Sequence, residues 1–271
     1  MIRRLAVPKG GIPASSRFGV GSFGLPTPSA FLCFFGALLL AGCSGSVPDS
    51  EVYPTAADFE IHGIDVSRYQ GDIDWNSVRE SGVRFAWIKA TEGGDRVDEK
   101  FGVNWMAAKA AGVPRGAYHF AYWCRPAEEQ AAWFLQNVPN DPQALPPVLD
   151  VEWNPTSLTC PRHVPPEAAR AMMKTILDAM QHAYGKQPII YTSVDFYRDV
   201  LADGAFMEYP MWVRSVKCYP DVKYAGRHWN FWQHTAQGRV PGIRGYVDRN
   251  AFYGSSHDWH QWLVAEAVEG T

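Results

Sequence analysis

The stretch PPVLDVEWN (146–154) sets two carboxylates, Asp150 and Glu152, two positions apart in an otherwise apolar run. Val148, Leu149 and Val151 read as a strand, and in a strand residues i and i+2 face the same side. Asp150 and Glu152 should therefore stand together while Leu149 and Val151 turn away. Crowding two like charges raises at least one pKa. Two chemistries use such a pair. One is binding of a divalent metal. The other is acid catalysis on a glycosidic bond, which needs one carboxyl protonated and another ionised. The metal reading finds few other ligands: His119 and His234 are isolated, and no Cys-x-x-Cys occurs. A lone histidine on a strand is more often structural. No metal and no cofactor are expected.

The elements that would hold these acids alternate along the chain. Strand-like segments fall at 61–67, 83–92, 114–123, 146–153, 187–193, 209–216 and 228–235, with a last strand or loop in 240–254. Helix-like segments fall at 74–81, 98–112, 126–138, 165–185 and near 195–202. The last strands should be joined by loops or hairpins. Such alternation predicts an α/β fold of parallel strands with crossover helices. Seven or eight strands in about 200 residues fit a barrel better than an open sheet. Reactive groups in such barrels lie at the carboxyl ends of strands. Asp65, Glu92, Asp150 and Glu152 all obey that rule. Sugar chemistry also needs flat aromatic faces. Of the aromatics near predicted strand ends, Tyr118, Tyr191 and Trp232 sit beside polar residues and are the better candidates, although most such rings belong to cores.

Six segments, GIDVSRYQGDIDW, FAWIKATEG, GAYHFAYW, PPVLDVEW, PIIYTS and WNFWQHT…GIRGYVDRNAF, occur in this order. The set resembles the family 25 glycoside hydrolases, the Chalaropsis-type lysozymes, over residues 61–254. The resemblance implies a modified β/α barrel of about five β/α units followed by three strands. It implies hydrolysis of the β-1,4 bond between N-acetylmuramic acid and N-acetylglucosamine in peptidoglycan. By the same resemblance Glu152 is the general acid, and Asp150 orients the substrate's 2-acetamido group, which attacks the anomeric carbon. Asp65 and Asp248 line the subsite of the cleaved sugar. Tyr118, Tyr191, Trp232, Glu92 and Gln233 are the substrate-binding candidates. The chain departs from the family pattern twice: His234 follows Trp-Gln, and Arg214 and Ser215 replace small apolar residues. Neither change falls on the acids; both bear on the subsites.

The N-terminus reads as a targeting segment. Residues 1–30 carry Arg3, Arg4, Lys9 and Arg17 and no acid, and AFLCFFGALLLAGC follows. That apolar run is too short for a comfortable bilayer span and suits a signal peptide. LLAGCS resembles a bacterial lipobox, which would make Cys43 the lipidated residue; an ordinary signal cleaved near Ala41 is the alternative. The expected organisation is a signal peptide at 1–43, a flexible tether at 44–58, the barrel domain at 59–258 and a C-terminal tail at 259–271. Export to the periplasmic face of the outer membrane, anchored through Cys43, and a monomeric state are expected. Without residues 1–43, 21 Lys and Arg face 28 Asp and Glu, a net charge of −7. That balance disfavours nucleic acid as a partner. Of Cys124, Cys160 and Cys218, one pair should bond in an exported chain. Cys124 and Cys160 follow neighbouring barrel strands and are expected to pair, leaving Cys218. A peptidoglycan-binding lipoprotein without activity, or a related hydrolase of other N-acetylated glycans, is the rival reading. The first would have no need of the acids, and the second usually shows a longer acidic strand motif.

Overall fold

A computed structural model describes residues 52–268; Cys43 and the signal segment lie outside the described residues. Five β/α units come first. They are β1 (His62–Val66) with α1 (Trp75–Glu80), β2 (Phe85–Glu92) with α2 (Phe101–Ala110), and β4 (Arg115–Phe120) with α3 (Ala127–Asn137). Then come β5 (Val148–Val151) with α4 (Pro166–Tyr184), and β6 (Ile189–Thr192) with α5 (Val194–Phe196), which runs on into a π-helical turn at Tyr197–Leu201. A two-residue strand, β3 (Arg96–Val97), folds back on the end of β2. Three strands complete the sheet: β7 (Met211–Arg214), β8 (Phe231–Gly238) and β9 (Val247–Phe252).

The sheet closes on itself. Its order is β1-β9-β8-β7-β6-β5-β4-β2, with β1 paired back to β2. All pairings around this eight-stranded barrel are parallel except the two made by β9. The α/β barrel expected from the alternation is thus the observed fold.

Local chemistry explains the longer elements. In α4, Ala169, Met173, Ile176, Leu177 and Met180 are buried, the three-to-four spacing of one helical face. Pro166 stands in its first turn and Gly185 ends it at φ 65°, a conformation that costs glycine little. Asp74 caps α1 by accepting from the backbone N–H of Asn76 and Ser77.

Strand alternation sorts the two sides of the barrel wall. Ile64, Val66, Ile88, Leu149, Val151, Ile190 and Val213 face outward into the helix layer. Phe85, Trp87, Val148, Ile189, Tyr191, Trp212, Phe231 and Phe252 fill the interior. Room for these rings comes from glycine: a Cβ at Gly63 would collide with the Phe85 ring, and one at Gly116 with Trp87.

Two parts of the sequence reading change. Helices do not end near residue 202, because α6 (Ser256–Val268) follows the last strand. Trp259, assigned to the tail, is buried against Phe85, Phe231 and Phe252 and closes the base of the barrel. In the segment read as a tether, Ala56–Asp58 form a 3-10 turn and Tyr53 stacks on Tyr219.

Candidate active site

The mouth of the barrel, at the carboxyl ends of the parallel strands, holds an open cavity of about 270 Å³. Asp65, Asp150, Glu152 and Asp248 all line it, with Tyr118, Tyr191 and Gln233. Asp150 lies within β5 and Glu152 just past its end, so strand alternation brings both to the interior. Asp65 and Asp248 are cross-strand partners of β1 and β9. Because β9 is four strands from β5 in either direction round the barrel, the two carboxyl pairs face each other across the mouth.

A buried network fixes Asp65. Gln233 Nε2 donates to Asp65 Oδ2 at 3.0 Å and Asn250 Nδ2 donates to the same oxygen at 2.9 Å. The amide oxygens are occupied in turn: Tyr191 OH donates to Gln233 Oε1 and Trp212 Nε1 to Asn250 Oδ1. Each member therefore has one orientation that satisfies its partners. Asp150 differs. Its Oδ1 is buried with no hydrogen-bond partner, a position that a substrate donor would satisfy.

Burial lifts the carboxyls. Glu152 is pushed up to about 7, chiefly by burial and against the pull of Arg214. Asp65 rises well above the usual carboxylate range through burial and the facing Asp248, although Gln233 and Asn250 oppose the rise. Asp150 rises through burial and through Glu152, and Asp248 through burial, with Arg214 opposing. The sequence reading made the crowding of like charges the cause of a raised pKa. In the structure desolvation is the larger cause, and it acts on both Asp150 and Glu152, opposing their ionisation.

Two cations balance the acids, Lys89 and Arg214, and neither was among the substrate-binding candidates. Lys89 Nζ bonds Glu92 Oε2 at 2.6 Å and lies over the Phe120 ring. A β-bulge between Lys89 and Thr91 makes this possible, since an unbroken strand would turn residues 89 and 92 to opposite faces.

Two candidates fall elsewhere. Glu92 lies outside the cavity, in an adjoining groove of about 770 Å³ that shares Tyr69, Lys89 and Phe120 with it. Burial opposes its ionisation, but Lys89, Tyr122 and Arg96 hold it below the usual glutamate range. Trp232 points outward. It is 5% exposed, packs on Phe59, Tyr219 and Trp229, and donates to the Ser215 carbonyl. Its neighbour Gln233 faces the cavity instead. The two histidines are structural. His119 is buried between Thr91 and Gln130, His234 lies against His62 and Trp232, and burial lowers both to about 4.

Cys124 and Cys160 form a disulfide. It ties the loop after β5, which walls the adjoining groove with Asn154 and Thr156–Thr159, to the end of β4. Cys218 is not in a disulfide. Among the described residues, no group of three or more His, Cys, Asp and Glu is arranged to hold a metal ion.

A β/α barrel with clustered carboxyls at the mouth defines a glycoside-hydrolase type of protein. Residues 64–243 match the family model described as Glycosyl hydrolases family 25. Lysozyme M1 of Streptomyces globisporus is 37% identical over 227 residues, 78% of this chain and 74% of its own. The uncharacterized protein YegX of Escherichia coli K12 is 42% identical over 205 residues, 73% and 72%. A family 25 glycosyl hydrolase from Bacillus anthracis superposes with a TM-score of 0.70 at 35% identity, covering 78% of this chain and 97% of that one. The lysozyme of Streptomyces coelicolor gives 0.67 at 34%, covering 77% and 98%. This chain belongs to glycosyl hydrolase family 25.

Proposed function

We propose that the protein is an N-acetylmuramidase, cleaving the β-1,4 bond between N-acetylmuramic acid and N-acetylglucosamine in peptidoglycan. The observation that carries this reading is the shared cavity of Asp150, Glu152, Asp65 and Asp248 with Glu152 lifted to about 7. A glutamic acid with that pKa is half protonated at neutral pH and suits proton donation to a leaving sugar oxygen.

Asp150 and Glu152 leave one strand end only about 7 Å apart at Cα, so both approach a bound sugar from one side. The substrate's own acetamido oxygen is then the nucleophile at the anomeric carbon. Its N–H donates to the unpartnered Asp150 Oδ1. The C–O bond to the leaving sugar breaks as Glu152 gives its proton to that oxygen. Water, deprotonated by Glu152, then opens the oxazoline ring. Asp65 and Asp248 border the reacting sugar, Tyr118 and Tyr191 pack beside it, and Gln233 joins Asp65 to Tyr191. The retained acids weigh against a role in binding alone.

The same proposal places the protein outside the cytoplasm as a monomeric lipoprotein, anchored through Cys43 at the periplasmic face of the outer membrane. Mass spectrometry of peptidoglycan digested by the purified protein tests the activity. Fragments ending in reducing muramic acid are expected; reducing glucosamine, or no fragments, would overturn it. Palmitate labelling that survives Cys43→Ser would overturn the anchor.

A further inference from the structure

Arg214 stands where the sequence departs from the motif it resembles, and its surroundings give it a distinct place. Around the barrel the mouth charges alternate in sign. Asp150 belongs to β5 and Glu152 follows its end, Arg214 belongs to β7, Asp248 and Asp65 to β9 and β1, and Lys89 to β2. Strands β2 and β7 each stand midway between β5 and β9, so the two cations occupy opposite positions between the two acid pairs.

The cations are not equivalent. Lys89 is bound to Glu92 and stacked over Phe120. Among the described residues, the Arg214 guanidinium makes no hydrogen bond and no ion pair, although it lines the cavity beside four carboxyls. Its main chain is nonetheless held. Tyr224 OH donates to the Arg214 carbonyl at 2.8 Å, and the Ser215 N–H donates to the Gln233 carbonyl at 3.0 Å. A fixed strand end therefore presents five N–H donors without partners to a half-buried cavity. A guanidinium in that state matches a carboxylate, which it can hold by two parallel bonds.

The muramoyl unit offers one such group. Its 3-O-lactyl ether ends in a carboxyl that is a neutral amide when a stem peptide is attached and an anion when the peptide has been removed. We propose that Arg214 is a specificity-determining residue that pairs with the free lactyl carboxylate and directs the enzyme to glycan strands stripped of their stem peptides. The inference rests on the muramidase reading and names the form of its substrate. The class of reaction that supplies the preferred substrate is an amide hydrolysis that removes the stems.

The test uses the full-length protein and one batch of glycan strands freed of peptide by amidase digestion. Half is left with free carboxyls and half is coupled to methylamine. Wild type should favour the free-carboxyl strands in kcat/KM by roughly tenfold, mainly through KM. Arg214→Gln should abolish that preference and Arg214→Lys retain part of it. Equal hydrolysis of both substrates by wild type overturns the inference and leaves the muramidase reading standing. So does Arg214→Gln that is slower on both substrates with the preference intact. Hydrolysis of neither substrate by wild type overturns the muramidase reading and this inference with it.

Discussion

The two ends of the barrel obey opposite rules. At the base, Phe85, Phe231, Phe252 and Trp259 meet at ring distances of 5.2–6.4 Å, and apolar area removed from water drives their association. At the mouth, four carboxyls and two cations share one cavity, and bringing them together opposes folding. Trp87, Trp212 and Tyr191 lie between the two. Trp212 serves both sides, with its ring in the apolar stack and its Nε1 bonded to Asn250. The base supplies the stability that the mouth gives up for chemistry.

Substitutions at each end should therefore fail in different assays. Glu152→Gln removes the proposed proton donor, and clearing of cell-wall suspensions should fall by about 10³-fold or more while the circular dichroism spectrum is unchanged. Asp150→Asn removes the acceptor proposed for the acetamido group and should cost about 10²–10³ in kcat on the same substrate. Trp259→Ala should do the reverse, lowering unfolding free energy in urea by about 3–5 kcal/mol with little change in kcat below the melting range. Cutting the Cys124–Cys160 link by Cys124→Ser together with Cys160→Ser, which also loosens the groove loop, should cost about 2–4 kcal/mol in the same assay.

The smallest effect is the most diagnostic. Activity should decline as pH rises through about 7, where Glu152 loses its proton. The stability consequence has the same sign: a carboxyl whose pKa is raised by folding contributes its stability at low pH and loses it as pH rises from the unfolded value toward 7. Glu152→Gln should thus melt at a higher temperature than wild type at pH 8, and the gap should close at pH 4. A constant gap across that range would mean that the mouth is not strained by its charges.

Much of this division was legible in the sequence. Alternation of short apolar strands with helical segments predicted the barrel, and the two-residue spacing of Asp150 and Glu152 predicted their common face. Trp232 and Gln233 show where the reading slipped. As consecutive strand residues they cannot both face the cavity, yet both were candidates; alternation alone could have removed one. Glu92 was chosen for its place at a strand end; a bulge after Lys89, which nothing in FAWIKATE marks, does bring it to the Lys89 side, but in the adjoining groove. Helix α6 escaped because its sequence, SHDWHQWLVAEAV, lacks a clean apolar stripe; it contributes Trp259, Trp262 and Leu263 to the base.

The antiparallel course of β9 sets the order in which the site can come into being. Asn250 and Asp248 lie on the last barrel strand, whereas their partner Asp65 lies on the first. Every other barrel strand can be made and partly assembled while β1 still has an open edge. A polypeptide that stops short of residue 250 has neither a closed wall nor the amide that steadies Asp65. The carboxyl-lined mouth is thereby incomplete in the nascent chain until residue 250 has arrived.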